Sequence, residues 1–170
     1  MIALLLSTAF ASDWEADFER QQKLAKLGAY SAAGGAGLVT VAVAPVAFVD
    51  DPEVVLAFGA PFTTVGAISM IGGNTSGSIF AWRAARSLQA GGVEVSTVPA
   101  KVGLAGVALF YGTALLMPVV SSNDQVPTAA VAVPAYGGLA AMYAGSFWQI
   151  RTNRRAYEVY AGPTAVGARW

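Results

Sequence analysis

Four stretches without a single charged residue, Gly28 to Val49, Val54 to Trp82, Val102 to Asn123 and Gln125 to Ile150, divide this chain into apolar spans and short charged flanks. Each exceeds the ~20 residues that a helix needs to cross ~30 Å of hydrocarbon. The pattern predicts an all-α integral membrane protein with four transmembrane helices arranged as two helical hairpins, preceded by an N-terminal amphipathic lead-in helix. The boundaries read as an apolar N-terminal segment over 1–11, the lead-in helix over 12–27, a first hairpin over 28–86, a linker over 87–99, a second hairpin over 100–155 and a tail over 156–170.

The flanks set an orientation. Positive residues near membrane ends favour the cytoplasmic side. With the N-terminus inside, all ten basic residues share that side: Arg20, Lys23, Lys26, Arg83, Arg86, Lys101, Arg151, Arg154, Arg155 and Arg169. The opposite side holds Asp50, Asp51, Glu53 and Asp124 and nothing basic. A competing signal lies in residues 1–11, which end Ala9-Phe10-Ala11, the small-x-small form that a signal peptidase accepts. Cleavage there would invert the bundle. That segment has no basic residue ahead of its apolar run and is short for a secretory signal. The charge rule draws on every loop and the cleavage motif on three residues, so we expect a bacterial inner-membrane protein with cytoplasmic termini.

An internal duplication organises the spans. Ala25-Lys26-Leu27-Gly28 recurs as Ala100-Lys101-Val102-Gly103, Pro45 pairs with Pro118, Pro61 with Pro134, and Arg83 and Arg86 with Arg151 and Arg154. An even number of spans per copy gives parallel repeats, which build a pseudo-symmetric bundle more simply than an alternating-access transporter.

Local signals refine the elements. Ser12-Asp13-Trp14-Glu15 fits a capping box that would start a helix near Asp13. Trp14 and Phe18, four apart, share a face that would lie among lipid headgroups or pack on the bundle. Asp51 and Pro52 suit the N-cap and first position of the second span. Asp50, Asp51 and Glu53 do not form the six to eight-oxygen cage of a Ca²⁺ site, so capping accounts for them. Gly91-Gly92 and Pro99 mark the linker, and Gly162-Pro163 stops the last helix.

Small residues suggest where helices meet. Gly73 and Gly77 form a G-x-x-x-G step, and Gly34, Gly37 and Gly145 lie in similar small-x-x-x-small steps, which let helix backbones approach within lipid. Such faces serve packing inside the bundle or against another subunit. The intramembrane prolines Pro45, Pro61, Pro118 and Pro134 should kink or end their helices. Matched kinks would splay the bundle into a shallow pocket lined by Thr63, Thr64, Tyr111 and Tyr136.

Composition narrows the chemistry. Hydrophobic residues make up 55% of the chain and charged residues 12%, and the mean hydropathy is +0.55. Neither Cys nor His occurs, which removes thiolate nucleophiles, imidazole bases and the common soft metal sites. No catalytic, metal or cofactor site is expected. The spans hold hydroxyls and amides but no carboxylate, ammonium or guanidinium, so a proton relay has nothing to run on. Zero formal net charge gives no footprint for nucleic acid. The basic flank residues Lys23, Lys26, Arg83, Arg86, Lys101, Arg151, Arg154 and Arg155 serve topology and lipid headgroups. The function expected is therefore non-enzymatic: a structural or accessory membrane subunit, with lipids and either a second copy or other membrane subunits as partners. The alternative is a small pore or facilitator for a neutral solute or ion.

Overall fold

The computed structural model describes the backbone of residues 2–43, 52–121, 127 and 129–162, and side chains within 14–42, 53, 57, 59–116, 127 and 129–162. Four helices account for nearly all of it: α1 (Ile2–Val43), α2 (Pro52–Ala90), α3 (Val98–Ser121) and α4 (Ala129–Ala161). The protein is an all-α four-helix assembly. Asp50, Asp51, Asp124, Pro45, Arg169 and the tail after Gly162 lie outside the described residues.

One helix, over Val98–Leu116 in α3, is long and apolar enough to cross a membrane by length and composition among the described residues. Among the described residues, α3 alone meets the expectation of four such helices. The described parts of the other three mix their aliphatic residues with small and polar ones, as in Gly72-Gly73-Asn74-Thr75-Ser76-Gly77 of α2.

Helix boundaries depart from the sequence reading in three places. α1 runs without a break through Ser12 to Glu15, so no capping box starts a helix there and residues 2–11 are its first turns. α2 continues through Arg86 and Ser87 to Ala90, because Leu88 buries its side chain completely and nothing before Gly91 disfavours helix. The linker is accordingly shorter than 87–99, and α3 starts at Val98. Third, α2 and α4 pass through Pro61 and Pro134, and α3 includes Pro118. Of the two expected outcomes, a kink or an end, none of these three prolines ends its helix. Each removes a single ladder hydrogen bond, a loss that a long packed helix absorbs.

The C-terminal ends of α2 and α4 each use a left-handed glycine. Gly92 has φ of +79°, with Val93 N–H donating to Leu88 O at 2.9 Å and Gly92 N–H to Gln89 O at 3.0 Å. This is a Schellman motif, completed by Val93 and Leu88 packing in one apolar cluster. Gly162, φ +72°, closes α4 with a single bond to Glu158 O at 3.1 Å.

The helices form two hairpins. α1 lies along α2 and α3 along α4; α2 meets both helices of the second hairpin, and α1 touches α4. Each hairpin has a glycine seam. A Cβ placed on Gly28 would stand 2.6 Å from Gly77 N, and one on Gly106 would stand 2.6 Å from Gly138 O. Only hydrogen fits at these positions, so the backbones touch. Gly28 and Gly35 on α1 face Gly66, Gly73 and Gly77 on α2, and Gly103 and Gly106 on α3 face Gly138 and Gly145 on α4.

Gly73, Gly77 and Gly145 lie in these seams, whereas Gly34 and Gly37 have open space where a side chain would be. The seam recurs every seven residues, at 28 and 35, 66 and 73, and 138 and 145. That spacing keeps one stripe of a helix against a neighbour inclined by about 20°, and it leaves Gly34 and Gly37 on another side of α1.

The larger core side chains gather at one end of the bundle. Phe18, Ala84, Leu88 and Val93 form a buried cluster, flanked by Trp14, Val95, Ala156 and Tyr157. Phe18 stacks on Tyr157 with centroids 4.9 Å apart, and Trp14 meets Tyr160 edge-on at 5.5 Å. Trp14 also covers Gly91, where a Cβ would collide with its ring. Trp14 and Phe18 therefore pack on the bundle, since α2 and α4 extend far enough alongside α1 to cover them.

Candidate functional site

Three amides from two helices knot the basic end of the bundle together. Gln149 and Asn153, one turn apart on α4, are completely buried, and Gln22 of α1 nearly so. The Gln149 amide nitrogen donates to Ser96 O at 2.8 Å and to Asn153 Oδ1 at 2.7 Å, while its Oε1 accepts from Ala100 N–H at 2.9 Å. The Asn153 amide donates to Ala81 O at 2.9 Å and to Gln22 Oε1 at 3.4 Å. The Gln22 amide donates in turn to Ile150 O at 2.9 Å. All four helices are joined through this one network.

The reason it sits there is chemical. The first turn of α3 presents N–H groups with no partner inside the helix. Ser96 Oγ accepts from Val98 N–H at 3.3 Å, and Gln149, reaching from α4, takes the Ala100 donor. An amide can donate and accept together, which lets three side chains satisfy helix ends and one another. Interhelical bonds of this kind contribute ~0.6–2 kcal/mol each in membrane proteins.

The network also fixes a common level. Gln22, Ala81, Ala100 and Asn153 lie at one height, so Lys23, Lys26, Arg83, Arg86, Lys101, Arg151, Arg154 and Arg155 all fall within a few turns of one end. Arg83 lies over Phe80 at 5.9 Å and Arg86 over Trp82 at 6.0 Å. Arg154 bonds Glu158 at 2.6 Å. Burial, with the nearby Arg154 charge, holds the Lys26 ammonium below its ordinary pKa. The Ser87 hydroxyl and the Gln21 amide donate to Asp17, and both lower its carboxyl below the usual 3.8. This contact clasps the first part of α1 to the end of α2.

Further along the bundle the interior stays polar but thins. Ser78 of α2 and Ser146 of α4 are fully buried; Ser78 donates to Met142 O at 3.3 Å and Ser146 to Tyr143 O at 3.0 Å. One turn beyond Ser78, Asn74 is 3% exposed and its buried Oδ1 has no hydrogen-bond partner among the described residues. An unmet buried acceptor costs ~1–3 kcal/mol.

The residues expected to line a pocket separate. Tyr111 of α3 reaches Thr75 of α2, hydroxyl to hydroxyl at 3.3 Å. Thr64 is eleven residues from Thr75, about 16 Å along the helix, and turns its hydroxyl back to Ala60 O at 2.8 Å. Thr63 is half-buried beside it, and Tyr136 is 72% exposed. These four side chains do not converge. An open cleft of about 610 Å³ lies instead at the basic end, where Glu94 and Ser96 of the linker face Thr152, Arg155 and Tyr160 of α4. Among the described residues no group of three or more Asp, Glu, His or Cys is placed to hold a metal ion.

Sequence reasoning passed over Gln22, Gln149 and Asn153. The available signal was Gln149 and Asn153 at i and i+4, where the last span meets its basic flank. No family model, no curated protein and no solved structure matches the chain.

Proposed function

We propose that all four helices cross a membrane and that the protein is a non-enzymatic structural or accessory subunit, built as two parallel helical-hairpin repeats. The observation that carries the reading is the apolar surface beyond the amide knot. Val41 is 70% exposed, Ile68 68%, Leu115 78% and Val133 68%, one from each helix. Large apolar surfaces in contact with water are rare on monomeric soluble proteins. The apolar stretch of α3 is only 28% buried, whereas the core helix of a soluble protein is covered mostly by its own fold.

Aromatic and cationic residues at the knot's level fit a membrane–water interface. Trp148 is exposed there, beside Phe80 and Trp82 and the eight basic side chains. Trp and Tyr favour that interface, and basic residues favour its cytoplasmic side. The aromatic core of Trp14, Phe18, Tyr157 and Tyr160 then stands in the aqueous phase. From the knot outward, Ala100 to Ser121 of α3 is 22 residues, about 33 Å, and Ala129 to Gln149 of α4 is 21 residues, about 32 Å, which suits the hydrocarbon thickness. Glycines seven apart on the second helix of both hairpins support the duplication.

A subunit role follows from what these features are fit for: close helix packing, no ionisable group within the spans, and a basic face suited to anionic headgroups. Glycines Gly34 and Gly37, open to the outside of α1, suit contact with a second copy or another membrane subunit. Alkaline washing of membranes followed by crosslinking and co-purification in mild detergent tests the reading. Retention in the membrane with a reproducible partner or homo-oligomer is expected. Release by alkali, or a monomer that stays folded in buffer without amphiphile, would refute it.

The second reading is a small pore or facilitator for a neutral solute or ion, favoured by the unpaired Asn74 acceptor and the Tyr111–Thr75 pair between the hairpins. Proteoliposomes that remain tight to small solutes and ions would rule it out.

A further inference from the structure

The two kinds of helix interface in this bundle differ in what fills them. Inside each hairpin, backbones meet at glycines and leave no room. Between the hairpins, side chains meet: Ser78 donates to the Met142 carbonyl, and the Met142 thioether lies 3.9 Å from Thr75 Oγ1. Thr75 spends its single proton on Ile71 O at 2.8 Å, so the Tyr111 hydroxyl is the donor in their 3.3 Å pair. Acceptor lone pairs remain on Thr75 and Tyr111. Asn74, on the face of α2 that carries Ser78, adds a third unmet acceptor while 3% exposed.

Uncharged acceptors, with the Asn74 amide N–H beside them, define their ligand. Neither an anion nor a cation finds a counter-charge among these groups. A neutral donor fits, and a buried polar site that offers two to four partners is what retains a water molecule. Met142 is the residue that keeps it out. It is completely buried, unbranched and able to adopt several rotamers, and it touches the site from α4. Tyr111 is 42% exposed, so the far side of the site opens to the bundle surface.

We propose that Asn74, Thr75, Ser78 and Tyr111 form a binding site between the hairpins for water or a neutral hydrogen-bond donor of that size, plugged in the closed state by Met142. The site opens when the Met142 side chain swings away, and the amide knot holds the hairpins together meanwhile. It does not rest on a subunit role and needs no partner protein.

The chain contains no cysteine, so single thiols report without background. Ser78→Cys is to be treated with methyl methanethiosulfonate, a small electrophile that is attacked by ionised, water-accessible thiolate and releases methanesulfinate, on the full chain purified in detergent micelles. Ala29→Cys, buried in the α1/α2 seam, is the control. Adding Met142→Ala is expected to raise the Ser78→Cys rate about tenfold by shifting the open population and to leave Ala29→Cys unchanged. Asn74→Leu, which keeps the branching of the side chain and removes its acceptor while adding bulk, is expected to slow Ser78→Cys labelling. An unchanged Ser78→Cys rate in the Met142→Ala background overturns the proposal, as does an undiminished Ser78→Cys rate in the Asn74→Leu background. If Met142→Ala fails to fold, the labelling rate with Asn74→Leu decides alone.

Discussion

Replacing Asn153 by alanine is the sharpest test of how the four helices are held together. The side chain makes three hydrogen bonds: it donates to Ala81 O at 2.9 Å and to Gln22 Oε1 at 3.4 Å, and accepts from Gln149 at 2.7 Å. Two of these have good length and contribute about 1 kcal/mol each, and the long one contributes less. Gln149 keeps its bond to Ser96 O, so its nitrogen is not orphaned. Gln22 Oε1 loses the partner shown here, and a buried acceptor left unmet adds about 1–3 kcal/mol. Discounting for groups that find water or rotate, Asn153→Ala should cost about 2–4 kcal/mol. The assay is reversible unfolding in mixed micelles followed by tryptophan fluorescence and far-ultraviolet circular dichroism. A double-mutant cycle with Gln149→Ala should return a coupling of about 0.5–3 kcal/mol. A loss under about 0.5 kcal/mol for Asn153→Ala, or additive single and double variants, would show that the knot does not tie the helices.

Three further outcomes are expected. Gly145→Ile should disrupt the α3/α4 seam, where a Cβ already meets Pro99 O at 2.7 Å, whereas Gly37→Ile, facing open space, should leave the melting temperature of a purified monomer unchanged; equal effects would contradict the seam assignment. The Asp17 carboxyl is held below 3.8 by Ser87 and Gln21, so its folded pKa lies below its unfolded one. The stability it contributes is present above about pH 4 and is lost as pH falls through the folded pKa; an acid unfolding curve for Ser87→Ala should lose part of that pH dependence, and one superimposable on wild type would refute the clasp. Trp14→Ala should loosen the aromatic cluster over Gly91 and make the first part of α1 susceptible to limited proteolysis, while a digestion pattern like that of wild type would show that this segment is held by other contacts.

Several features of this protein were legible in residue order because they depend only on which residues lie near one another along the chain. Uncharged runs predict helix number, Pro52 predicts the start of α2, and Gly162 the end of α4. Gly73, Gly77 and Gly145 are recognisable as close-packing positions from their small neighbours. Gly34 and Gly37 look equally suitable by the same rule. Which glycines meet a neighbour depends on the rotation of α1 about its axis, set by the seven-residue seam with α2, and no local pattern encodes that rotation uniquely in a run as small-residue-rich as 31–37.

The amide knot shows the same division more plainly. Gln22, Gln149 and Asn153 are unremarkable polar residues next to charged flanks, where solvent exposure is the ordinary expectation. They become a network because two hairpins pack with α4 against α1, α2 and the first turn of α3, bringing residues 131 positions apart within hydrogen-bond reach. The chain's covalent order determined its helices and its segregation of charge, since both follow from local composition. Only the packed bundle decided which polar groups were buried, which found partners and which, like Asn74, did not, because burial is a property of neighbours that the chain brings together only by folding.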